Sequence, residues 1–318
     1  MLRFFRSSNI IVIIAVIVIG ILTWLGAFAA EEVTAISFGY GDIIINLPEW
    51  HLWLFGLILF LASAVILTSV NERLRLIDSY SYLPVLCFVL IIGGVPEIHK
   101  FNSVIIANGL LIIVFTILVE SFGSERLSYS FFTASALISV ATFFFQYMFV
   151  YMLVVWIVIA LWRPGYWREW VFSILGFALP FYFAFCWIFL TKDDLSLFYE
   201  LFSTQQTGVN ALSINNIIFF VLIITLVIVA SGYTLRYISS KKIVIRTGYY
   251  LLLFIAAITA GLTLIVPETI YHSWYLAAFP MSFIFSCFLA NVRSKFLGTI
   301  VLTVLFTGVI VVQIAFLS

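Results

Sequence analysis

Long apolar runs alternate with short polar breaks along the whole chain. Most runs reach the roughly 20 residues that an α-helix needs to cross a bilayer core. They predict helices over about 9–29, 51–70, 80–95, 101–119, 128–145, 147–162, 169–190, 214–235, 249–266, 274–290 and 296–316. The third is short and ends at Gly93-Gly94 and Pro96. The fifth and sixth have almost no loop between them, with Gln146 at the junction, and read as a tight hairpin. Pro180 and Pro280 fall inside predicted helices, where a proline removes a backbone hydrogen bond and bends the axis. The predicted fold class is all-α, a polytopic integral membrane protein with about 11 transmembrane helices in a single domain over 1–318. In the outer loop 191–213, Leu195, Phe198, Leu201 and Phe202 recur at near-helical spacing against Asp193, Asp194 and Glu200. That pattern predicts a short amphipathic helix in the headgroup layer.

Charge orients this ladder of helices. With the N-terminus inside and the spans alternating, thirteen of the fifteen Lys and Arg residues fall on the inner side. Only Lys100 and Lys192 fall outside. Loop cations resist translocation, so the bias predicts N-terminus in, C-terminus out, in a bacterial inner (cytoplasmic) membrane.

Composition agrees. Hydrophobic residues make up 64% and charged residues 9% of the 318, with mean hydropathy +1.23. A water-soluble domain carries about 25% charged residues. A net charge of +1 gives no sign of a nucleic-acid partner, and the short juxtamembrane groups of cations fit anionic membrane lipids. Cys87, Cys186 and Cys287 all fall inside apolar runs, and their odd number argues against a structural disulfide. Arg3, Arg6, an apolar run and Ala27-Phe28-Ala29 imitate a secretory signal. The run from Ile10 to Phe28 exceeds the usual signal core of about 7–15 residues, so it reads as an uncleaved first helix.

The polar chemistry collects at the outer face. Nine of the fourteen acids and all three histidines project there. Three pairings recur at helix mouths: Glu49 with His51, Glu97 with His99, and Glu268 with His272. A carboxylate with an imidazole can hold a divalent metal, or act as base and orienter. Glu97, His99 and His272 are the candidate metal ligands. The same residue types also occur at helix mouths simply because cations are kept inside and histidine suits an interface. The tryptophans near span ends, Trp24 and Trp274 among them, fit an interfacial belt. The turn Arg163-Pro164-Gly165-Tyr166-Trp167-Arg168 places Arg163 and Arg168 where a phosphate headgroup would lie. Asn102, Asn108, Asn215, Asn216 and Gln146 are the main uncharged polar residues near the outer helix ends.

Leu83-Pro84, Ile105-Ile106-Ala107-Asn108, the hairpin over 131–162, and Arg163-Pro164 with Trp167-Arg168-Glu169-Trp170 followed by Gly176-Phe177-Ala178-Leu179-Pro180 together resemble a Bacteroidota family of polytopic inner-membrane proteins. The resemblance implies a fold and a lineage but no reaction. Some members are labelled beta-carotene monooxygenases, whose non-haem iron takes four histidines; this chain has three. More remotely, the layout resembles membrane glycosyltransferases that use polyprenyl-phosphate sugars. That resemblance implies an acid in the first outer loop, Asp42 (or Glu31 or Glu32), and a second acidic motif at Glu97-Ile98-His99. Asp42 would activate the acceptor hydroxyl, Glu97 and His99 would orient the base or hold a metal, and Lys100 would meet the carrier phosphate. No D-x-D occurs, and the first outer loop is short for that superfamily.

Two functions follow as expectations. One is a role in cell-envelope glycan or lipid-carrier metabolism with the polar face outside, possessing a polyprenyl-phosphate partner. The other is a non-catalytic scaffold or assembly subunit with a membrane-protein partner. A third, lipid translocation, needs a polar groove between helices.

Overall fold

The computed structural model describes residues 10–29, 49–77, 81–99, 101–122, 127–162, 165–192, 213–292 and 295–317. Among them 91% are helical and none lies in a strand. The α-helices are α1 (Ile10–Ala29), α2 (Glu49–Leu74), α3 (Leu83–Gly93), α4 (Ser103–Ser121), α5 (Leu127–Phe144), α6 (Met152–Trp162), α7 (Trp167–Lys192), α8 (Ile214–Ile238), α9 (Ile243–Ile265), α10 (Ile270–Asn291) and α11 (Lys295–Leu317). Short 3-10 helices cover Pro96–Ile98, Gln146–Tyr151 and Pro267–Thr269. Among the described residues seven helices, α2, α4 and α7–α11, are long and apolar enough to cross a membrane. The chain therefore has the make-up of a multi-pass membrane protein.

Several boundaries differ from the hydropathy reading: α2 runs on to Leu74 and α10 opens at Ile270, and two further places matter more. The hairpin's second arm opens as the 3-10 turn Gln146–Tyr151 and becomes α-helical only at Met152. The basic segment 236–246 is mostly helical, because α8 runs through Arg236 to Ile238 and α9 opens at Ile243. Arg and Lys are good helix formers, and their long stems carry the charge to water from a helix end.

The chain forms two compact units. In the first, α10 is the centre, packed chiefly on α3, α9 and α8. Of its span, 94% is buried, against 17% for α7. Every residue of α3 is buried as well. The helices α1 and α2 are joined by a reciprocal pair: Trp24 donates its indole N–H to the Trp53 carbonyl at 3.3 Å, and Trp53 donates to the Trp24 carbonyl at 3.1 Å. Trp24 is fully buried and Trp274 nearly so, so these two indoles anchor helix to helix and not helix to headgroups. Trp50, Trp167 and Trp187 are exposed.

The second unit contains α4 to α7. Asn102 caps α4 by accepting the Val104 N–H at 3.0 Å. The closest packing is α5 on α7. It turns on Gly176, where a Cβ would sit 2.3 Å from the backbone oxygen of Phe132. Between apolar helices in lipid such close approach supplies van der Waals contact, since lipid tails are as apolar as leucine.

Candidate functional site

The end of α3 organises the polar groups of the first unit. A helix leaves its last carbonyls without partners, and α3 ends in a buried place where water does not supply them. Three side chains from elsewhere do. Trp274 of α10 donates Nε1–H to the Ile91 carbonyl at 3.2 Å. Gln313 of α11 donates Nε2–H to the Gly93 carbonyl at 2.6 Å. His99 sets Nε2 3.1 Å from the Ile92 carbonyl. A carbonyl only accepts, so the geometry assigns the His99 proton to Nε2. The imidazole stacks on Trp24, with ring centroids 4.7 Å apart. Burial pushes its pKa down to about 4, against a smaller opposing effect from the carbonyls of Ile92 and Thr23. At neutral pH His99 is an uncharged ring that closes a helix.

Two residues earlier, Glu97 turns to a different partner. It lies in the 3-10 turn Pro96–Ile98, which Val95 and the two glycines before it set at the mouth of α3. The Nδ2 amide of Asn216, in the first turn of α8, donates to Glu97 Oε1. The same amide lies 3.3 Å from the Tyr271 hydroxyl oxygen, at the start of α10. Asn216 thus uses both its amide hydrogens and ties three segments together. The second carboxylate oxygen, Glu97 Oε2, is buried and takes no hydrogen bond among the described residues. An orphaned carboxylate oxygen at the edge of a protein is costly unless a further group meets it. The arrangement can therefore fix a carboxylate with one oxygen ready to accept a proton, beside a tyrosine hydroxyl that can donate one.

The other sequence candidates fall differently. Asp42, Lys100 and Arg163 lie outside the described residues, as does most of the amphipathic segment over 193–212. Arg168 is exposed in the first turn of α7, its guanidinium 5.3 Å above the Phe172 ring. His272 is buried in the first turn of α10. Among the described residues no group of three His, Cys, Asp or Glu side chains is placed to hold a metal ion. The set Glu97, His99 and His272 is therefore not gathered as ligands, and the expected Glu97–His99 pairing is replaced by separate partners for each.

Asn216 and Tyr271 were not singled out by the sequence as members of this site. The Asn at a helix mouth was visible, but its partner lies 119 positions away. In the second unit, a hollow of about 520 Å³ opens between α5, α6 and α7. Trp156, Phe177 and Phe181 line it, with only Thr142 and Gln146 polar. That is an apolar recess and not the polar groove that moving a headgroup requires. Neither a protein-family model, nor a curated protein, nor a solved structure matches the chain.

Proposed function

We propose that this multi-pass protein sits in the bacterial inner membrane with about eleven spans, N-terminus in and C-terminus out, and acts at its outer face in envelope glycan or lipid-carrier metabolism. The observation that carries the reading is the Glu97 carboxylate, clasped by Asn216 beside Tyr271 with Oε2 buried and unpaired. In this scheme Glu97 Oε2 takes the proton of an acceptor hydroxyl. The hydroxyl oxygen bonds to the anomeric carbon of a polyprenyl-phosphate sugar, and the bond from that carbon to the carrier phosphate breaks. The phosphate leaves with both electrons of that bond. Tyr271 orients the acceptor, and Asn216 fixes the carboxylate. The likeness to polyprenyl-phosphate glycosyltransferases implies Asp42 as the base and Lys100 as the cation for the carrier phosphate; this scheme gives the base's part to Glu97 on its Asn216 and Tyr271 contacts and keeps Asp42 as a further outer acid. His99 enters as a positioning residue that holds the turn carrying Glu97. Among the described residues no metal set is gathered, and the scheme routes no step through a metal.

The test is Glu97→Gln in the native chromosomal locus, with protein level checked by blot. Glutamine keeps the acceptor for Asn216 but takes up no proton. A changed surface-glycan profile, together with native mass spectrometry showing polyprenyl-phosphate retained by the wild type, supports the reading. A normal profile in Glu97→Gln and Asp42→Asn strains sinks it. A stable co-purifying membrane protein would then favour the scaffold.

A further inference from the structure

At the far end of α8 from Asn216, the first unit holds a second polar recess, and its chemistry is the opposite of the Glu97 site. A cavity of about 560 Å³ lies between the last turn of α2 and the α8–α9 turn. Among the described residues its lining includes Arg73, Arg75, Lys241 and Lys242 against a single carboxylate, Glu72. The cations come from two segments about 170 residues apart in sequence, so no local composition bias brings them together.

Three further features belong to the same recess. The 23-residue helix α9 begins there, with Lys242 as its N-cap and Val244 and Ile245 on the cavity wall. Its unpaired N–H groups and dipole add roughly half a positive charge. On the other wall Arg75 has φ +48°, a left-handed conformation in which α2 would ordinarily end on glycine. The chain holds an arginine in that strained turn, and the turn begins with Arg75 N–H donating to the Asn71 carbonyl at 3.0 Å. The third feature is Asn71 itself. It is 6% exposed and donates Nδ2–H to the Ser81 carbonyl at 3.3 Å. That bond fixes the amide's orientation, because a flipped amide would set oxygen against oxygen. Asn71 Oδ1 is left as a buried acceptor with no partner among the described residues.

We infer that this cavity is a binding site for a phosphate ester that also carries a hydroxyl. The four cations and the α9 N-terminus meet the phosphate oxygens, and Asn71 Oδ1 accepts from the hydroxyl. A choline headgroup has no hydroxyl to give and brings its own cation into a cationic pocket. A glycerol-phosphate group fits both halves, and it has two natural sources: the headgroup of an anionic glycerophospholipid, or a water-soluble sugar or glycerol phosphate. The site stands apart from Glu97 and does not depend on the reading of that site.

The experiment uses the full-length protein in mild detergent. Phosphatidylglycerol and phosphatidylcholine are titrated and followed by native mass spectrometry, with glycerol 3-phosphate as the soluble competitor. Arg75 and Lys242 are exposed, so the double variant Arg75→Gln/Lys242→Gln should purify as wild type, checked by size exclusion. It should retain phosphatidylglycerol at least about tenfold more weakly, since each juxtamembrane cation adds to headgroup attraction. Arg236→Gln/Arg246→Gln removes the same charge at the same end of α8 and α9 but outside the cavity lining, and should change retention less than about twofold. Asn71→Leu should reduce the preference for the glycerol headgroup over a headgroup without hydroxyls. Displacement of phosphatidylglycerol by glycerol 3-phosphate would assign the site to a soluble ester, and its absence to the lipid. Equal retention of phosphatidylglycerol and phosphatidylcholine without binding of glycerol 3-phosphate overturns the proposal. So does an equal loss in the two double variants.

Discussion

His99 Nε2 lies 3.1 Å from the carbonyl oxygen of Ile92, so an imidazole at the mouth of the helices seals the end of α3. Its role has a signature in pH. An unfolded histidine titrates near 6.5, and burial holds His99 at about 4. Below 6.5 the unfolded chain binds a proton that the folded chain refuses. Stability is therefore full above 6.5 and falls as pH drops toward 4, by about 3 kcal/mol across the window. His99→Gln keeps a donor for Ile92 but does not titrate. Thermal unfolding in detergent between pH 7.5 and 4.5 should show a shallower decline in this variant than in the wild type. Parallel curves would assign the acid sensitivity to other groups.

Gly176 and Gly109 make opposite predictions within one unit. A Cβ at Gly176 would meet the Phe132 backbone oxygen at 2.3 Å, and backbone cannot swing aside as a side chain does. Gly176→Ala should force α5 and α7 apart and lower stability by about 1–3 kcal/mol. A Cβ at Gly109 meets nothing within 4 Å. Gly109→Ala should be neutral or stabilising by up to about 1 kcal/mol, as in an open helix position. Melting temperatures of the two variants check the pair, and a neutral Gly176→Ala would contradict the packing.

Asn108 is fully buried on α4, and neither its amide oxygen nor its amide nitrogen has a partner among the described residues. The hydroxyls of Ser135 and Ser139 on the neighbouring α5 are in the same condition. Replacing an unsatisfied buried amide by an apolar group removes a desolvation penalty. Asn108→Leu should raise stability by about 1–3 kcal/mol. A fall in melting temperature of similar size would mean that a bound polar group occupies this seam in the membrane.

Much of the architecture was legible because hydropathy and helix length are tied by bilayer thickness. Predicted and observed limits of α1, α4, α5 and α11 agree to within a few residues. The interior was not legible, because residues facing lipid and residues facing helices are equally apolar. One signal in the sequence does mark the interior. α10, the most buried span, has the lowest mean hydropathy of the seven, 1.5, since Tyr271, His272, Ser273, Ser282 and Ser286 face protein. The site was half legible. Glu97 stood out as an acid at a helix mouth, but spacing tied it to His99, whereas the fold gives it Asn216 and gives His99 to α3. The capping of α3 was beyond reach, because Ile91 meets Trp274 183 positions later and Gly93 meets Gln313 after 220.

Those separations set an order of manufacture. At about 5–20 residues per second, translation takes on the order of ten seconds or more to travel from α3 to Trp274. Through that interval the carbonyls of Ile91 and Gly93 wait in the half-built protein for donors that have not left the ribosome. The helices α4 to α7 of the second unit, contiguous in sequence, are synthesised within the delay. The ribosome thus makes the keystone of the first unit almost last, and until α10 and α11 arrive the end of α3 lacks the donors that close it in the finished fold.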